Sequence, residues 1–77
     1  MARKSPDLVA ALQKIGARVV ELRAERAFTQ EQLATAADLD VKHVQDVEHG
    51  RSNLTVATLL GIARALKTRV AILFDDL

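Results

Sequence analysis

Four side chains in one short stretch could bind a metal or transfer protons: His43, Asp46, Glu48 and His49. Imidazoles and carboxylates are common zinc ligands and general acid–base groups. On a helix, however, the separation of six residues between the histidines turns their rings to different faces, and no third ligand has a suitable spacing. We therefore expect no metal, and we interpret His43 as a polar contact and His49 as a solvated helix end.

Other kinds of catalytic site are equally unsupported. The sequence shows no glycine-rich phosphate loop and no Ser-His-Asp or paired-carboxylate arrangement in a persuasive context, and 77 residues leave little room for a substrate cleft. The lack of cysteine excludes disulfides and thiolate metal sites and fits a reducing compartment. No apolar run approaches the roughly 20 residues of a membrane span. These features predict a single soluble, cytoplasmic domain, residues 1–77, that is not an enzyme and needs no cofactor.

Charge is distributed unevenly along the chain, although its formal total is only +1. Residues 1–28 carry +3, residues 29–48 carry −4 and residues 49–77 carry +2. The central segment holds five carboxylates and one lysine, Lys42. Positive charge therefore flanks an acidic centre, which predicts only a modest electrostatic attraction to a polyanion.

Five helices are predicted to position these residues, because apolar residues recur at steps of three and four. Ser5, Thr29, Asp40 and Thr55 are expected to cap the first four helices, and Gln32 can complete a capping box with Thr29. The first helix runs to about residue 26, the third ends at residue 50, and residues 70–77 form a short last helix. The residues expected to face the core include Leu8, Leu12, Ile15, Val19, Leu22, Leu33, Ala34, Ala37, Val44, Val47, Leu59, Ile62, Ala63 and Leu66.

Four short motifs follow one another at characteristic intervals. They are Ile15-Gly16 with Val19 and Leu22-Arg23, then TQEQLA at 29–34, then Val44 with Val47-Glu48 and Gly50, then Leu59 with Ile62-Ala63 and Leu66. Together they resemble the helix-turn-helix domain of phage repressors, Cro and the xenobiotic-response-element regulators. The resemblance implies an all-α, compact five-helix bundle of the lambda-repressor type, in which residues 29–48 form the helix-turn-helix and the helix at about 41–48 enters the major groove of double-stranded DNA.

The resemblance also implies which residues contact DNA. Gln30 would donate its side-chain amide to a phosphate, and the loop at 51–53, with amides near Thr55, would grip the backbone on the other side. This loop is similar to that of restriction-modification controller proteins. Because a helix-turn-helix exposes only the first one or two turns of its second helix, the predicted contacts to base edges are Val41, Lys42, His43, Gln45 and Asp46. The other predicted contacts to DNA are Thr29, Gln30, Arg51, Ser52 and Asn53.

Most carboxylates of the central segment have an expected structural role. By the resemblance, Glu48 pairs with Arg23 between the first and third helices. Asp38 tolerates a left-handed turn, Asp40 caps a helix, and Glu31 lies in the first turn of one. Asp46 is left on the outward face, where it pairs with Lys42 four residues earlier, accepts from a cytosine amino group, or repels phosphates and lowers the affinity for DNA.

We expect a homodimer, because a two-fold axis doubles the contacts and spaces two recognition helices about 34 Å apart. The dimer interface is predicted at Leu60, Val70, Ile72, Phe74 and Leu77. The alternative is that these are scattered apolar residues exposed on the surface of a small protein. Arg3 and Lys4 lie in a basic extension, residues 1–14, that reaches into the first helix. They either follow phosphates or form a solvated tail.

The predicted function is therefore a sequence-specific DNA-binding transcriptional regulator. A protein-interaction module that keeps the fold without binding DNA is the alternative that the acidic centre supports. A DNA-binding antitoxin of a toxin–antitoxin pair, with a toxin as its partner, is a second alternative. The regulator itself would act by occluding a promoter or by contacting RNA polymerase.

Overall fold

The computed structural model describes residues 5–75 and 77, and over that part all the regular secondary structure is helical. It contains four α-helices, α1 (Pro6–Glu25), α2 (Gln30–Ala37), α3 (Val41–Glu48) and α4 (Val56–Ala65), followed by a 3-10 helix, Val70–Phe74. The all-α class is confirmed, but the predicted fifth α-helix is wrong. The backbone hydrogen bonds of the last segment join residues three apart, which is the pattern of a 3-10 helix. The basic arm predicted at Arg3 and Lys4 lies outside the described residues.

Side-chain caps begin three of the α-helices as predicted. The hydroxyl oxygens of Ser5, Thr29 and Thr55 each accept a hydrogen bond from the backbone N–H three residues later, at 3.0–3.1 Å. The Gln32 side chain accepts from the Thr29 N–H at 2.8 Å and completes the capping box. These local contacts fix where the helices start before any tertiary packing is considered.

The start of α3 differs from the prediction. Asp40 has the extended backbone of an N-cap residue, with φ −71° and ψ 147°, but its side chain makes no capping hydrogen bond to the described helix. Its carboxylate stays exposed near the positive end of the helix dipole, which is favourable without a defined hydrogen bond. Asp40 therefore adds an exposed negative charge at the beginning of α3.

Two left-handed residues bracket α3. Asp38 follows α2 with φ 58° and ψ 47°, the conformation predicted for it. Gly50 follows α3 with φ 71°, the conformation that favours glycine. Its N–H donates to the Val47 carbonyl at 3.1 Å, and the Arg51 N–H donates to the Asp46 carbonyl at 2.9 Å. This pair of bonds is a Schellman motif, which ends α3 abruptly and fixes the path of the next loop.

The core is aliphatic and matches most of the predicted inward positions. Every predicted core residue of α2, α3 and α4 is buried, together with Leu66 and Leu73. The prediction is wrong for Leu8, which is 40% exposed, and Leu22 is only half-buried. Leu8 lies in the first turn of α1, at an open groove that it lines together with Leu54, Phe74 and Leu77.

Two glycines allow helix backbones to touch. A Cβ atom at Gly16 would lie 2.5 Å from the Val47 carbonyl oxygen and 2.6 Å from that of Glu48, so α1 passes directly over the end of α3. A Cβ atom at Gly61 would lie 2.9 Å from the Ala37 carbonyl oxygen, where α4 crosses the end of α2. The two helices of the central motif are therefore each held at their C-terminal end by a glycine of a neighbouring helix.

Arginines of α1 and its C-terminal turn hold the C-terminal elements. Arg26 donates from Nε to the Leu66 carbonyl at 2.5 Å, which satisfies a free acceptor at the end of α4. Arg18 donates to the Ile72 carbonyl at 3.3 Å and pairs with Asp75 at 3.4 Å. Among the residues described, no helix has the length and apolar character needed to cross a membrane.

Candidate nucleic-acid interface

The turn between α2 and α3 sets the angle at which α3 leaves the core. After Asp38 reverses the chain, the Leu39 N–H donates to the Ala34 carbonyl at 2.8 Å. Leu39 and Val41 are half-buried and pack against the core, while Val44 and Val47 are fully inside it. One face of α3 is therefore fixed by packing, and the opposite face is open to solvent.

An ion pair joins α1 to α3 below that open face. Arg23 Nε donates to Glu48 Oε2 at 2.6 Å and Nη2 donates to Oε1 at 3.2 Å, while Nη1 donates to the Phe28 carbonyl at 2.9 Å. The Glu48 side chain is only 3% exposed. The two-point geometry and the third bond satisfy both charges, which a buried pair requires to be tolerated.

The same carboxylate begins a chain of side-chain hydrogen bonds that reaches the surface. Gln30 donates from Nε2 to Glu48 Oε1 at 2.9 Å, and Gln45 donates from Nε2 to Gln30 Oε1 at 3.3 Å. Gln45 is exposed on the open face of α3. One N–H of Gln30, whose amide was predicted to donate to a phosphate, is therefore engaged by Glu48, and the second N–H would have to make that contact.

A second polar cluster lies on the same face. Lys42 Nζ lies 3.5 Å from Asp46 Oδ2, and Arg51 Nη1 lies 4.0 Å from Asp46 Oδ1. The i,i+4 pair is one of the two arrangements that the sequence left open for Asp46. The contact with Arg51 was not foreseen, because it depends on the Schellman motif that brings the loop back beside α3.

The five carboxylates of the acidic centre thus divide into three groups. Glu48 is buried in an ion pair, and Asp46 is held by two cations. Glu31 lies in the first turn of α2 and Asp38 forms the left-handed turn. Asp40 remains as an exposed charge beside the open face, contrary to the expectation that capping would engage it.

The other predicted contact residues are distributed around this face. Thr29 uses its hydroxyl in the capping box, and Val41 packs partly against the core, so neither presents its whole side chain outward. His43 is half-buried, and Ser52 and Asn53 lie in the loop after α3, with the Ser52 hydroxyl donating to the Asn53 carbonyl at 3.2 Å.

The histidines do not come together with a third ligand. His49 is exposed, and its Nδ1–H donates to the Gln45 carbonyl at 2.7 Å, as a C-terminal residue of a helix can. Within residues 5–75 and 77, no three His, Asp or Glu side chains are grouped so as to hold a metal ion.

Sequence reasoning missed the pairing of Gln30 with Gln45 and the role of Gly16. The two glutamines are 15 residues apart, and only the angle between α2 and α3 brings them into contact. Gly16 had a usable signal, since a glycine in the middle of an amphipathic helix costs stability and often marks close approach of another backbone.

The predicted dimer residues divide between two grooves. Phe74 and Leu77 line one groove together with Leu8 and Leu54, and all but Leu54 of these are exposed. Leu60 and Val70 line a different groove between α4 and the 3-10 helix. Ile72 is half-buried, and its carbonyl accepts from Arg18.

Comparison with known proteins gives a consistent result. The family model described as helix-turn-helix matches residues 19–73, more than half of the chain. The immunity repressor protein of Bacillus phage phi105 is 37% identical over 62 residues, which are 80% of this chain and 43% of the repressor. The chain therefore spans less than half the length of that relative. An uncharacterized HTH-type transcriptional regulator of Sinorhizobium fredii, y4dJ, is 35% identical over 52 residues, 68% of each chain.

Solved structures of similar proteins share the fold. The restriction-modification controller protein C.AhdI from Aeromonas hydrophila superimposes with a TM-score of 0.82 at 38% identity, covering 84% of this chain and 98% of the controller. A helix-turn-helix family transcriptional regulator from Vibrio cholerae gives a TM-score of 0.83 at 25% identity, covering 90% of this chain and 39% of that one. The matched region contains α2, the turn and α3 as described above. The chain therefore belongs to the helix-turn-helix family of DNA-binding transcriptional regulators.

Proposed function

We propose that this protein is a sequence-specific regulator of transcription that binds double-stranded DNA as a homodimer, with α3 in the major groove. The observation that carries the proposal is the hydrogen-bond chain from Arg23 through Glu48 and Gln30 to Gln45. A buried ion pair anchors one end of this chain, and an exposed side chain of α3 forms the other. Such support is what a side chain needs if it is to read a base edge in one orientation.

The hydrogen bond between Gln45 and Gln30 is compatible with a two-point contact from Gln45 to adenine. A glutamine amide has two N–H donors and one carbonyl acceptor, and one donor is engaged by Gln30. The second N–H and the Oε1 atom can still form the two-point contact with N7 and N6 of adenine, the pairing that glutamine makes in the major groove. We therefore assign Gln45 to an adenine in the operator.

The contacts to the phosphate backbone of DNA would lie on both sides of α3. Gln30 at the start of α2 offers its second N–H to a phosphate, and Arg51, Ser52 and Asn53 lie in the loop that leads to α4. Such contacts orient the protein on the duplex without carrying sequence information. Similarity to the phage immunity repressor and to the controller protein supports a regulatory role for this protein.

Dimerisation is proposed through the groove lined by Leu8, Leu54, Phe74 and Leu77. Burying the exposed apolar side chains of this groove in an interface would contribute favourable free energy to dimerisation. One domain alone presents few contacts to bases. A two-fold axis through this surface would double those contacts and set two α3 helices about one DNA turn apart.

The test is selection of bound sites from random duplex DNA, followed by binding measurements with Gln45→Ala, Lys42→Ala and the charge-matched control Lys14→Ala. We expect Gln45→Ala to lose about 1–3 kcal/mol at one adenine position, whereas loss of a phosphate contact at Lys42 weakens all sequences equally. Lys14 lies on the exposed side of α1, and its replacement should change binding little. Failure to select any sequence would refute the proposal.

A protein-interaction module is the second candidate, and the exposed Asp40 together with the −4 charge of residues 29–48 favours it. Gel shifts on random-sequence duplex at low salt distinguish the two functions. Nonspecific DNA binding rests on phosphate contacts and weakens steeply with salt, so a module that does not bind DNA would show no shift at any salt concentration.

A further inference from the structure

Asp46 occupies the position between two cations of the proposed interface. Its Oδ2 atom lies 3.5 Å from Lys42 Nζ and its Oδ1 atom lies 4.0 Å from Arg51 Nη1. The side chains of Lys42 and Arg51 are 80% and 66% exposed, whereas that of Asp46 is only 29% exposed. The Asp46 carboxylate is therefore less exposed to solvent than the two cationic groups that it attracts.

The backbone keeps this arrangement in place. Lys42 precedes Asp46 by one helical turn, so the two side chains lie on the same face of α3. Arg51 is returned to that face by the Schellman motif, in which its own N–H donates to the Asp46 carbonyl at 2.9 Å. The long cationic side chains can swing away from the cluster, but the short aspartate side chain cannot follow them.

A phosphate would have to displace the carboxylate from these cations. Carboxylate and phosphate oxygens are alternative acceptors for the same ammonium and guanidinium groups. When Lys42 and Arg51 turn toward a DNA backbone, Asp46 loses its partners and leaves a negative charge near the phosphates. The exposed carboxylate of Asp40 lies at the start of the same helix and adds to that repulsion.

We propose that Asp46 is an internal competitor with DNA phosphate for Lys42 and Arg51, and that it lowers the affinity of the protein for DNA of any sequence. This inference rests on the proposed function. Nonspecific binding comes essentially from phosphate contacts, so restraining two cations weakens it directly. Recognition must then depend more on base contacts such as that of Gln45, which makes Asp46 a specificity-determining residue.

The test compares Asp46→Asn with Asp38→Asn on random-sequence duplex between about 50 and about 200 mM salt. Both substitutions remove one negative charge from the same motif, and asparagine tolerates the left-handed backbone of Asp38. Asp38 forms no ion pair with any described residue. We expect Asp46→Asn to bind about tenfold more tightly at the lowest salt, with a plot of log affinity against log salt steeper by about one to two. Asp38→Asn should change affinity by less than about threefold, with no change in slope.

A second comparison tests whether the gain passes through the cations. In a protein that already carries Lys42→Met and Arg51→Met, Asp46→Asn should increase affinity by less than about threefold, because no cation remains to be released. A gain in this background equal to that in the parent protein would show simple charge repulsion and overturn the proposal.

Two further outcomes would also overturn it. If the parent protein binds random duplex and Asp46→Asn binds no more tightly than Asp38→Asn, the competition does not exist although the proposed function stands. Weaker binding by Asp46→Asn would mean that the carboxylate contacts DNA itself. If neither the parent nor Asp46→Asn binds any duplex at low salt, the proposed function fails and this inference fails with it.

Discussion

Glu48 connects three helices through a single buried carboxylate. From α3 it accepts hydrogen bonds from Arg23 of α1 and from Gln30 of α2. Arg23 in turn donates to the Phe28 carbonyl in the connection that leads to α2. The same group therefore holds the helix-turn-helix against α1 and orients the glutamine that supports Gln45. Under the proposed function, both the stability of the fold and the recognition of DNA would depend on this one side chain.

Replacing Glu48 with alanine should reduce the free energy of unfolding by about 3–5 kcal/mol, because Arg23 would be left partly buried without its partner. Urea unfolding followed by circular dichroism measures the change. Glu21→Ala is the control, since it breaks the exposed pair with Arg18 at 3.6 Å and should cost no more than about 1 kcal/mol. Equal losses in the two variants would contradict a structural role for the buried pair.

The two glutamines should act as one unit in DNA binding. We expect Gln30→Ala to weaken binding to all sequences through its lost phosphate contact, and to weaken it further at the same base position as Gln45→Ala, because Gln45 loses the acceptor that orients it. In a double-mutant cycle the two losses should then fall short of adding by about 0.5 kcal/mol or more. Measurements on the selected duplex test this coupling, and a cycle of Lys14→Ala with Gln45→Ala should be additive. Additive losses for the glutamine pair would show that their contact has no part in recognition.

At the scale of elements, the sequence predicted what local chemistry determines. The caps at Ser5, Thr29 and Thr55 depend on contacts within four residues, and all three are present. The left-handed turn at Asp38 is likewise a local preference. Asp40 has the residue type and backbone of a cap, but whether a carboxylate closes the hydrogen bond depends on a rotamer that the sequence does not determine.

Contacts between elements were less predictable. The burial of Val44 and Val47 follows from periodicity, whereas the exposure of Leu8 depends on how far the other helices extend along α1. The groups that meet Gln30 and Asp46 depend on the angle between α2 and α3 and on the Schellman motif. Spacing along a sequence gives the face of a helix on which a residue lies, but it does not give the neighbour on the next helix.

The crossing of α1 over α3 gives an element-scale prediction. Gly16→Ala should destabilise the protein by about 2–3 kcal/mol, although alanine favours helix by about 1 kcal/mol, because the new Cβ would meet the carbonyl oxygens of Val47 and Glu48. Gly61→Ala is the graded control. The new Cβ would make one close contact, at 2.9 Å from the Ala37 carbonyl oxygen. We expect this variant to lose about 1 kcal/mol of unfolding free energy. Thermal and urea unfolding rank the two variants, and a Gly16→Ala protein as stable as the parent would show that the helices can separate at little cost.

For the whole molecule, the distribution of charge explains how an acidic helix-turn-helix can serve as a DNA-binding motif. Of the five carboxylates in residues 29–48, Glu48 is buried and Asp46 is paired, so only Glu31, Asp38 and Asp40 remain as exposed charges without a described ion pair. Of the flanking bases, Arg64, Lys67 and Arg69 are exposed and contribute long-range attraction to a polyanion, whereas Arg18 and Arg23 are paired with carboxylates. With so modest an attraction, the proposed homodimer would gain affinity mainly by placing a second copy of the domain on the same duplex.

Self-association through the apolar groove can be tested by replacing Leu77, which is 56% exposed, and Leu8, which is 40% exposed. Burying a leucine side chain is worth about 1.5–3 kcal/mol, so Leu77→Ser and Leu8→Ser should each raise the dimer dissociation constant about tenfold or more. Val20→Ser is the control, because Val20 is 37% exposed on α1 but does not line the groove. Sedimentation equilibrium from nanomolar to high micromolar protein measures the constants, with unfolding curves to show that each variant is folded. If the parent protein remains a monomer over that whole range, or if Val20→Ser weakens the dimer as much as Leu77→Ser, this groove is not the dimer interface.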